Sequence, residues 1–486
     1  MPSVYIETFG CQMNEADSRY IARRAESAGY AVAEAPEEAD VVVLNTCTVR
    51  DNAERRAYGR MNQFKSLKDA DPGVRLVVTG CLAEQDRDRM QRLAPHVDAV
   101  FGTRELGLLG DRLAEWEPVY REAAQVRAPA LEPRDDMQRF ARGGAADGAP
   151  GAFAHVRAFV NVQRGCSYYC TFCIVPHVRG RFDHRPKAEI VDEVRGRVAG
   201  GAREVMLVGQ TVNAWRDPAD GSDFGDLCRE IGRLEGLERL TFISPHPKDF
   251  TEKMLDDLAA VAALNPRIHL PLQSASDRVL RRMNRKYTLA QFDAVVRGIR
   301  ARLPDCAITT DLIVGFPGES EEDFEATLAY VESGCFANAF TFVYSIRRGT
   351  PAARWEQVPK DVAAARFDRL LDAQNRVTRA YHDRKLGRVV RALVVGDSKK
   401  DASRVAAKAT DNVTVIAPKP ADFAAADGAA HRYADLPWLD VRIERAHVWG
   451  CTGTVVGAAA RYDGDATAVP GPVIDLTATD VQSVAR

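Results

Sequence analysis

The sequence predicts an α/β chain in three parts: an N-terminal parallel-sheet α/β domain over 1–120, a central partial (β/α)6 barrel over 153–383, and a small C-terminal β barrel over 384–456. Three observations predict this. Short β-rich runs alternate with helical stretches up to about Tyr120 and again from Phe153 to about Asp383, and strands alternating with helices pair in parallel. The alternation fails between Arg121 and Gly151, where Arg142-Gly-Gly-Ala-Ala-Asp-Gly-Ala-Pro-Gly151 can bury little surface, so 121–152 is expected to be a linker. Beyond Arg384 the helical pattern gives way to β-branched runs such as Arg388-Val-Val-Arg-Ala-Leu-Val-Val395, followed by an Ala/Gly/Asp-rich tail over 457–486.

In the N-terminal domain Val4–Phe9, Val41–Thr46 and Leu76–Gly80 are the expected strands. Helical stretches follow at Glu15–Ala28, Glu54–Leu67 and Glu84–Leu93. Cys11, Cys47 and Cys81 each stand directly after one of these strands, or one residue beyond it. In a parallel sheet neighbouring strand ends open on one edge, where ligands bind. Three thiolates therefore converge there, a set suited to an iron–sulfur cluster with one open iron; three small buried core residues are the competing reading.

The central domain has candidate strands at 158–162, 205–208, 240–243, 268–270, 308–314 and 340–344. Helical stretches among them include Lys187–Val198, Phe224–Leu234 and Glu321–Glu332. In parallel barrels the functional loops follow the carboxyl ends of the strands. Those loops hold Cys166, Gly209-Gln210, Ser244 with His246, Gln273-Ser274 and Gly315. The first loop reads Gly165-Cys166-Ser-Tyr-Tyr-Cys170-Thr-Phe172-Cys173. This spacing is too tight for ordinary disulfides and lacks the fourth ligand of a structural zinc site. Three thiolates on a four-iron cluster leave one iron free for a small molecule. Gly209 and Gly315 would let backbone approach a ligand, with turn chemistry the competing reading. Phe172 would lie against a bound ligand, and a core aromatic would look the same. His246 reads as a packing or hydrogen-bonding residue, and Cys228 as core on an apolar helical face.

The whole chain has 486 residues, with 66 Lys and Arg against 68 Asp and Glu. Such a balance makes any nucleic-acid surface a local one. Ten cysteines are too sparse for a secreted disulfide framework. The start lacks the basic-then-apolar pattern of a signal peptide, and no apolar segment nears the ~18 residues that span a bilayer. A cytoplasmic protein without membrane contact is expected. Arg384–Val456 carries about 12 basic against about 8 acidic residues. Lys399, Lys400, Arg404 and Lys408 lie in or beside its first turn and are suited to phosphate contacts, with a solvated turn the competing reading. Arg179-Gly-Arg181, Arg281-Arg282 and Arg285-Lys286 are expected to extend that basic surface.

Phe9-Gly-Cys11-Gln-Met-Asn14, Asn45-Thr-Cys47-Thr-Val-Arg50, Thr79-Gly-Cys81 and the run from Gly165 through Cys173 to Pro176 together resemble the methylthiotransferase family of radical S-adenosylmethionine (SAM) enzymes. The resemblance reaches to about Val456. Ser244-Pro-His246-Pro247 and Leu270-Pro-Leu-Gln273-Ser-Ala-Ser-Asp277 look most like the branch acting on N6-(dimethylallyl)adenosine 3′ of the tRNA anticodon. The resemblance implies two [4Fe-4S] clusters. One, on Cys166, Cys170 and Cys173, would cleave SAM to a 5′-deoxyadenosyl radical. The other, on Cys11, Cys47 and Cys81, would carry the sulfur transferred to C2 of the adenine. It further implies SAM contacts from Phe172, Gly209, Gln210, Ser244, Gln273 and Gly315. Lys399, Lys400, Arg404 and Lys408 would contact RNA from a barrel of the TRAM type. A flavodoxin- or ferredoxin-like electron donor and a monomeric chain are also expected. The sequence departs from the family at Phe182 and His184, where an acidic residue and a serine are expected, and at Ile346 and Arg348, where proline is common. Methylthiotransferases acting on threonylcarbamoyladenosine or on a ribosomal-protein aspartate remain alternatives, as does a non-catalytic iron–sulfur RNA-binding protein. The lack of extra terminal recognition segments points to the dimethylallyladenosine branch.

Overall fold

The computed structural model describes residues 1–48, 51–127, 156–419 and 438–459; the linker beyond 127, the tail beyond 459 and Arg50 lie outside the described residues. The chain divides into two compact units, one holding 1–147, 164–167 and 173–183, the other 148–163, 168–172 and 184–486.

The first unit is built on strands β1 (Ser3–Thr8), β2 (Ala31–Val32), β3 (Val41–Thr46), β4 (Arg75–Gly80) and β5 (Ala99–Phe101), in the order β2-β1-β3-β4-β5 and all parallel. Central strand β3 is buried along its whole length because helices cover both faces. Val42 and Leu44 point to one side, with Ala57, Met61 and Phe64 of helix α2 (Asp51–Ala70) and Leu82 and Met90 of α3 (Cys81–Leu93). Val41 and Val43 cluster with Ile21 and Ala25 of α1 (Gln12–Ser27) and Leu109 and Leu113 of α4 (Leu106–Arg127). All three anticipated helices begin three residues before the acidic residue expected to start them. The consequence is chemical: Cys11 is the N-cap of α1 and Cys81 the first residue of α3.

The second unit carries two three-stranded parallel sheets. Their orders are Arg239–Phe242, Glu204–Val208, Arg157–Asn161 and Arg267–His269, Ala307–Val314, Asn338–Val343. A bridge between Leu240 and Leu264 leads from one toward the other, giving the anticipated partial barrel of six strands. Its helices are fixed by local chemistry, for instance reciprocal capping of Leu289–Arg302 by Thr288 with Gln291 and of Glu321–Glu332 by Ser320 with Asp323. The last five strands, Val389–Ser398, Asp401–Ala409, Thr414–Pro418, Trp438–His447 and Gly450–Ala459, close into a small barrel, which leaves no free sheet edge.

That small barrel sits against the amino ends of the parallel strands. Glu204, 1% exposed, receives Arg157 at 3.1 Å and Arg239 at 4.0 Å. Arg239 donates onward to the Lys408 carbonyl at 3.2 Å. Asp411 takes Lys385 at 2.5 Å and the Tyr381 hydroxyl at 2.7 Å. The loops at the carboxyl ends of the strands therefore stay clear of this seat. Among the described residues, no helix is long and apolar enough to cross a membrane.

Candidate functional site

In the first unit, the strand order reverses direction between β1 and β3, and ligands of open α/β sheets bind outside the carboxyl ends at that point. Cys11 follows β1 and Cys47 follows β3, so the two cysteines straddle it; Cys81 follows β4 next door. Gly10 and Gly80, which precede two of them, adopt φ of +119° and +98°. A Cβ on Gly10 would lie 2.5 Å from Cys47 Cβ, and one on Gly80 would lie 2.3 Å from the Thr46 carbonyl. Only glycine brings these loops so close.

Two asparagines fix the loops. Asn14 donates to the Phe9 carbonyl at 2.7 Å and the Thr46 carbonyl at 2.9 Å, tying the β1 loop to the β3 loop. Asn45 donates to the Asn14 carbonyl at 2.7 Å and to Ser18 Oγ at 2.9 Å. Burial pushes the Cys81 thiol up to about 12; Arg179 pulls it down, and the Cys47 and Cys11 thiols, close enough to act on it, push it further up. Burial raises Cys306 and Cys451 as well, so it is the meeting of three thiols at one sheet edge, and not this shift, that suits a metal. No cysteine of the chain is in a disulfide. The donor set fits an iron–sulfur cluster.

Arg179, expected from the sequence to join a basic surface, is instead buried, at 8% exposure. Its Nε donates to Cys81 Sγ at 3.2 Å, and Nη2 reaches Asn14 Oδ1 and Asp17 Oδ2, each at 2.8 Å. Arg285 departs from expectation the same way. It is 6% exposed and donates to Cys170 Sγ at 3.5 Å, to the Pro271 carbonyl at 3.1 Å and to the Tyr287 hydroxyl at 3.1 Å. Neither residue can face RNA phosphates, whereas Arg181, Arg281 and Lys286 remain exposed. Arg282 lies over the Trp355 ring at 4.3 Å.

Within the cysteine run, Cys170 is buried while Cys166 and Cys173 are half-buried. Thr171 and Asn284 tie 168–172 to the segment around Met283 through backbone and side-chain hydrogen bonds. Phe172 packs edge-on to Phe316, ring centres 6.4 Å apart. The loops after the barrel strands hold buried polar atoms with no hydrogen-bond partner among the described residues: Asn161 Oδ1, Gln163 Oε1, Gln210 Oε1 and His246 Nε2. Unpaired buried polar atoms are costly, and they suit a polar ligand such as SAM. Ser244 and Gln273 sit in the left-handed region, φ +58° and +73°, a strain that collects at ligand sites. Gln273 also continues the sheet, its N–H donating to the Asp311 carbonyl at 2.9 Å.

Gly209 and Gly315 have a packing explanation that needs no ligand. A Cβ on Gly209 would meet Gln163 Cγ at 2.9 Å, and one on Gly315, at φ +69°, would meet Ala363 Cβ at 2.6 Å. His246 accepts from the Lys248 N–H at Nδ1, 3.3 Å away. Burial, with Arg285 and Lys248 nearby, pushes the ring down to about 2, so His246 stays neutral with its proton on Nε2. Cys228, Cys306, Cys335 and Cys451 are buried; Cys228 lies in the core cluster of the central barrel. In the small barrel Lys399 and Lys400 are exposed in the turn. Arg404 is half-buried beside Asp401 at 3.9 Å. Lys408 turns its ammonium to Thr414 Oγ1 at 2.8 Å, and burial lowers it to about 8; it is the least suited of the four to a phosphate contact.

Residues 3–102 match the model of an uncharacterized protein family, UPF0004, and 160–331 that of the radical SAM superfamily. A tRNA-2-methylthio-N(6)-dimethylallyladenosine synthase of Thermobifida fusca is 42% identical over 458 residues, covering 91% of this chain and 87% of that one. One of Nocardioides sp. is 40% identical over 497 residues, covering 98% and 95%. The chain belongs to the tRNA-2-methylthio-N(6)-dimethylallyladenosine synthase family. Within this family member, the first three cysteines fall in the UPF0004 match and the CxxxCxxC run in the radical SAM match. Among solved structures, the radical SAM methyltransferase TsrM of Kitasatospora setae superposes with a TM-score of 0.51 over 73% of this chain and 75% of that one, at 17% identity. That likeness is one of fold.

Proposed function

We propose that this chain is a tRNA-2-methylthio-N(6)-dimethylallyladenosine synthase: it uses SAM and [4Fe-4S] clusters to add a methylthio group to C2 of N6-(dimethylallyl)adenosine, 3′ of the anticodon. The observation that carries the reading is the pair of separate cysteine triads in one family member, one straddling the switch point of the N-terminal sheet and the other in the loop after the first barrel strand. Cys11, Cys47 and Cys81 hold one cluster; Cys166, Cys170 and Cys173 hold the other. The C2 hydrogen is out of reach of side-chain bases, since general acid–base catalysis contributes only about 10²–10⁴-fold. The clusters and SAM supply the one-electron chemistry and the sulfur.

The chain's own residues orient these groups. Asn14 and Asn45 hold the two cysteine loops together. Gln210, Ser244, Gln273 and His246 line the barrel's carboxyl-end loops and offer polar atoms to SAM, with Phe172 beside its adenine; neutral His246 is a donor there, not a base. Lys399 and Lys400, with Arg404, contact tRNA phosphates, which position the RNA without reading its sequence. The protein works in the cytoplasm, as a monomer, with a flavodoxin- or ferredoxin-like donor.

Mass spectrometry of tRNA nucleosides from a strain lacking the gene tests this. The methylthio nucleoside should disappear, its dimethylallyl precursor should accumulate, and the intact gene should restore the product. An unchanged nucleoside profile overturns the reading.

A further inference from the structure

We propose that Arg179 is a positioning residue for the N-terminal centre: it donates a hydrogen bond to the sulfur of Cys81 and holds a buried positive charge beside the thiolate ligands of the cluster. The inference rests on the reading that Cys11, Cys47 and Cys81 hold a cluster, and goes beyond it in assigning a role to a residue outside the cysteine triads.

The geometry is specific. Arg179 ends the short helix Val175–Arg179, within the first unit. That helix is anchored there by the packing of Ile174 and Val178 on Cys81 and by the hydroxyl of Thr103, which donates to the Val178 carbonyl. The guanidinium divides its donors between two tasks. Nη2 is engaged by Asn14 and Asp17 at 2.8 Å, while Nε is aimed at sulfur at 3.2 Å. A neutral thiol is a weak acceptor; a metal-bound thiolate is a strong one, so this donor is matched when Cys81 is a ligand. The charges agree. Asp17, 2% exposed, is shared between Arg179 at 2.8 Å and Arg164 at 3.7 Å. Arg164 is 39% exposed and screened by water, so the charge held beside the cysteines is that of Arg179, anchored by Asp17. A guanidinium fixed beside the sulfur stabilises the negative charge of a thiolate ligand.

The second unit repeats the device. Arg285 is buried, faces Cys170 Sγ at 3.5 Å, and has no carboxylate within ion-pair distance among the described residues. Each triad thus has one buried arginine donating to one of its sulfurs.

Hydrogen bonds to cluster sulfurs and nearby positive charge stabilise the reduced form and raise the reduction potential. The test uses full-length protein in which Cys166→Ala, Cys170→Ala and Cys173→Ala leave only the N-terminal centre. After anaerobic reconstitution, iron is counted and the one-electron reduction of the cluster by dithionite is followed by electron paramagnetic resonance against potential. Arg179→Met should move the midpoint to more negative potential and alter the line shape. Arg179→Lys, which keeps the charge but cannot reach both Asp17 and sulfur, should move it in the same direction by less. If Arg179→Met fails to hold iron, the shift in Arg179→Lys decides. A parental midpoint and line shape in an iron-replete Arg179→Lys and Arg179→Met pair overturns the proposal. Full iron and an unchanged spectrum in Cys81→Ala would instead overturn the cluster assignment itself.

Discussion

His246 shows what burial does to one side chain at this site. Its ring is 4% exposed, packs against Tyr168 with centroids 4.4 Å apart, and is pushed down to about 2. The folded pKa lies below the unfolded value, so below about pH 6.5 the unfolded chain takes up a proton that the fold refuses. The contribution is fully present above pH 6.5 and diminishes progressively as pH falls toward 2. One unit below 6.5 the cost is about 1 kcal/mol. Denaturation at pH 7.5 and 5.5 should show the parent losing about that much more stability than His246→Gln. Equal losses would mean that the ring is open to water. The asparagines beside Cys11 and Cys47 are visible in the sequence as parts of the cysteine segments, but their role is not. Asn14 reaches the end of β3 at Thr46, 32 residues along the chain, a pairing that no local pattern encodes. Arg179 and Arg285 escape a sequence reading for a related reason: a run of basic residues says nothing about which member turns inward.

At the level of elements, the sequence pattern locates the three strands that lead into Cys11, Cys47 and Cys81, because short β-branched runs are a local signal. The helix starts are displaced by three residues, since an acidic first-turn residue is the usual local marker whereas Cys11 and Gly80 serve as N-caps without a side-chain bond. The seat of the small barrel is illegible in the sequence, as it depends on Glu204, Arg239 and Asp411 finding partners on distant segments. The turn joining Val389–Ser398 to Asp401–Ala409 is legible, and its Lys399 and Lys400 are exposed as phosphate binding needs. Lys399→Gln with Lys400→Gln should weaken binding similarly for different tRNA sequences. The salt dependence should become shallower by up to about 0.9 in slope for each phosphate no longer neutralised, or about 0.7 on a single strand. Titrations at several salt concentrations check this; unchanged slope and affinity would make the turn a solvated one. Because the turn is far in sequence from both triads, SAM cleavage should be unaffected.

Across the whole molecule, the proposed function divides the chemistry between two cysteine triads that are far apart in sequence and built on different parallel sheets. The division has a direct signature in one assay: 5′-deoxyadenosine and methylthio nucleoside quantified together by mass spectrometry, after anaerobic reaction of the reconstituted protein with SAM, reductant and prenylated tRNA. Cys170→Ala should form neither product. Cys47→Ala should still form 5′-deoxyadenosine while making no methylthio nucleoside, because only the sulfur-carrying centre is damaged. Methylthio nucleoside formed by Cys47→Ala at the parental rate would contradict this division, for Cys47 would then be a core residue and a single centre would suffice.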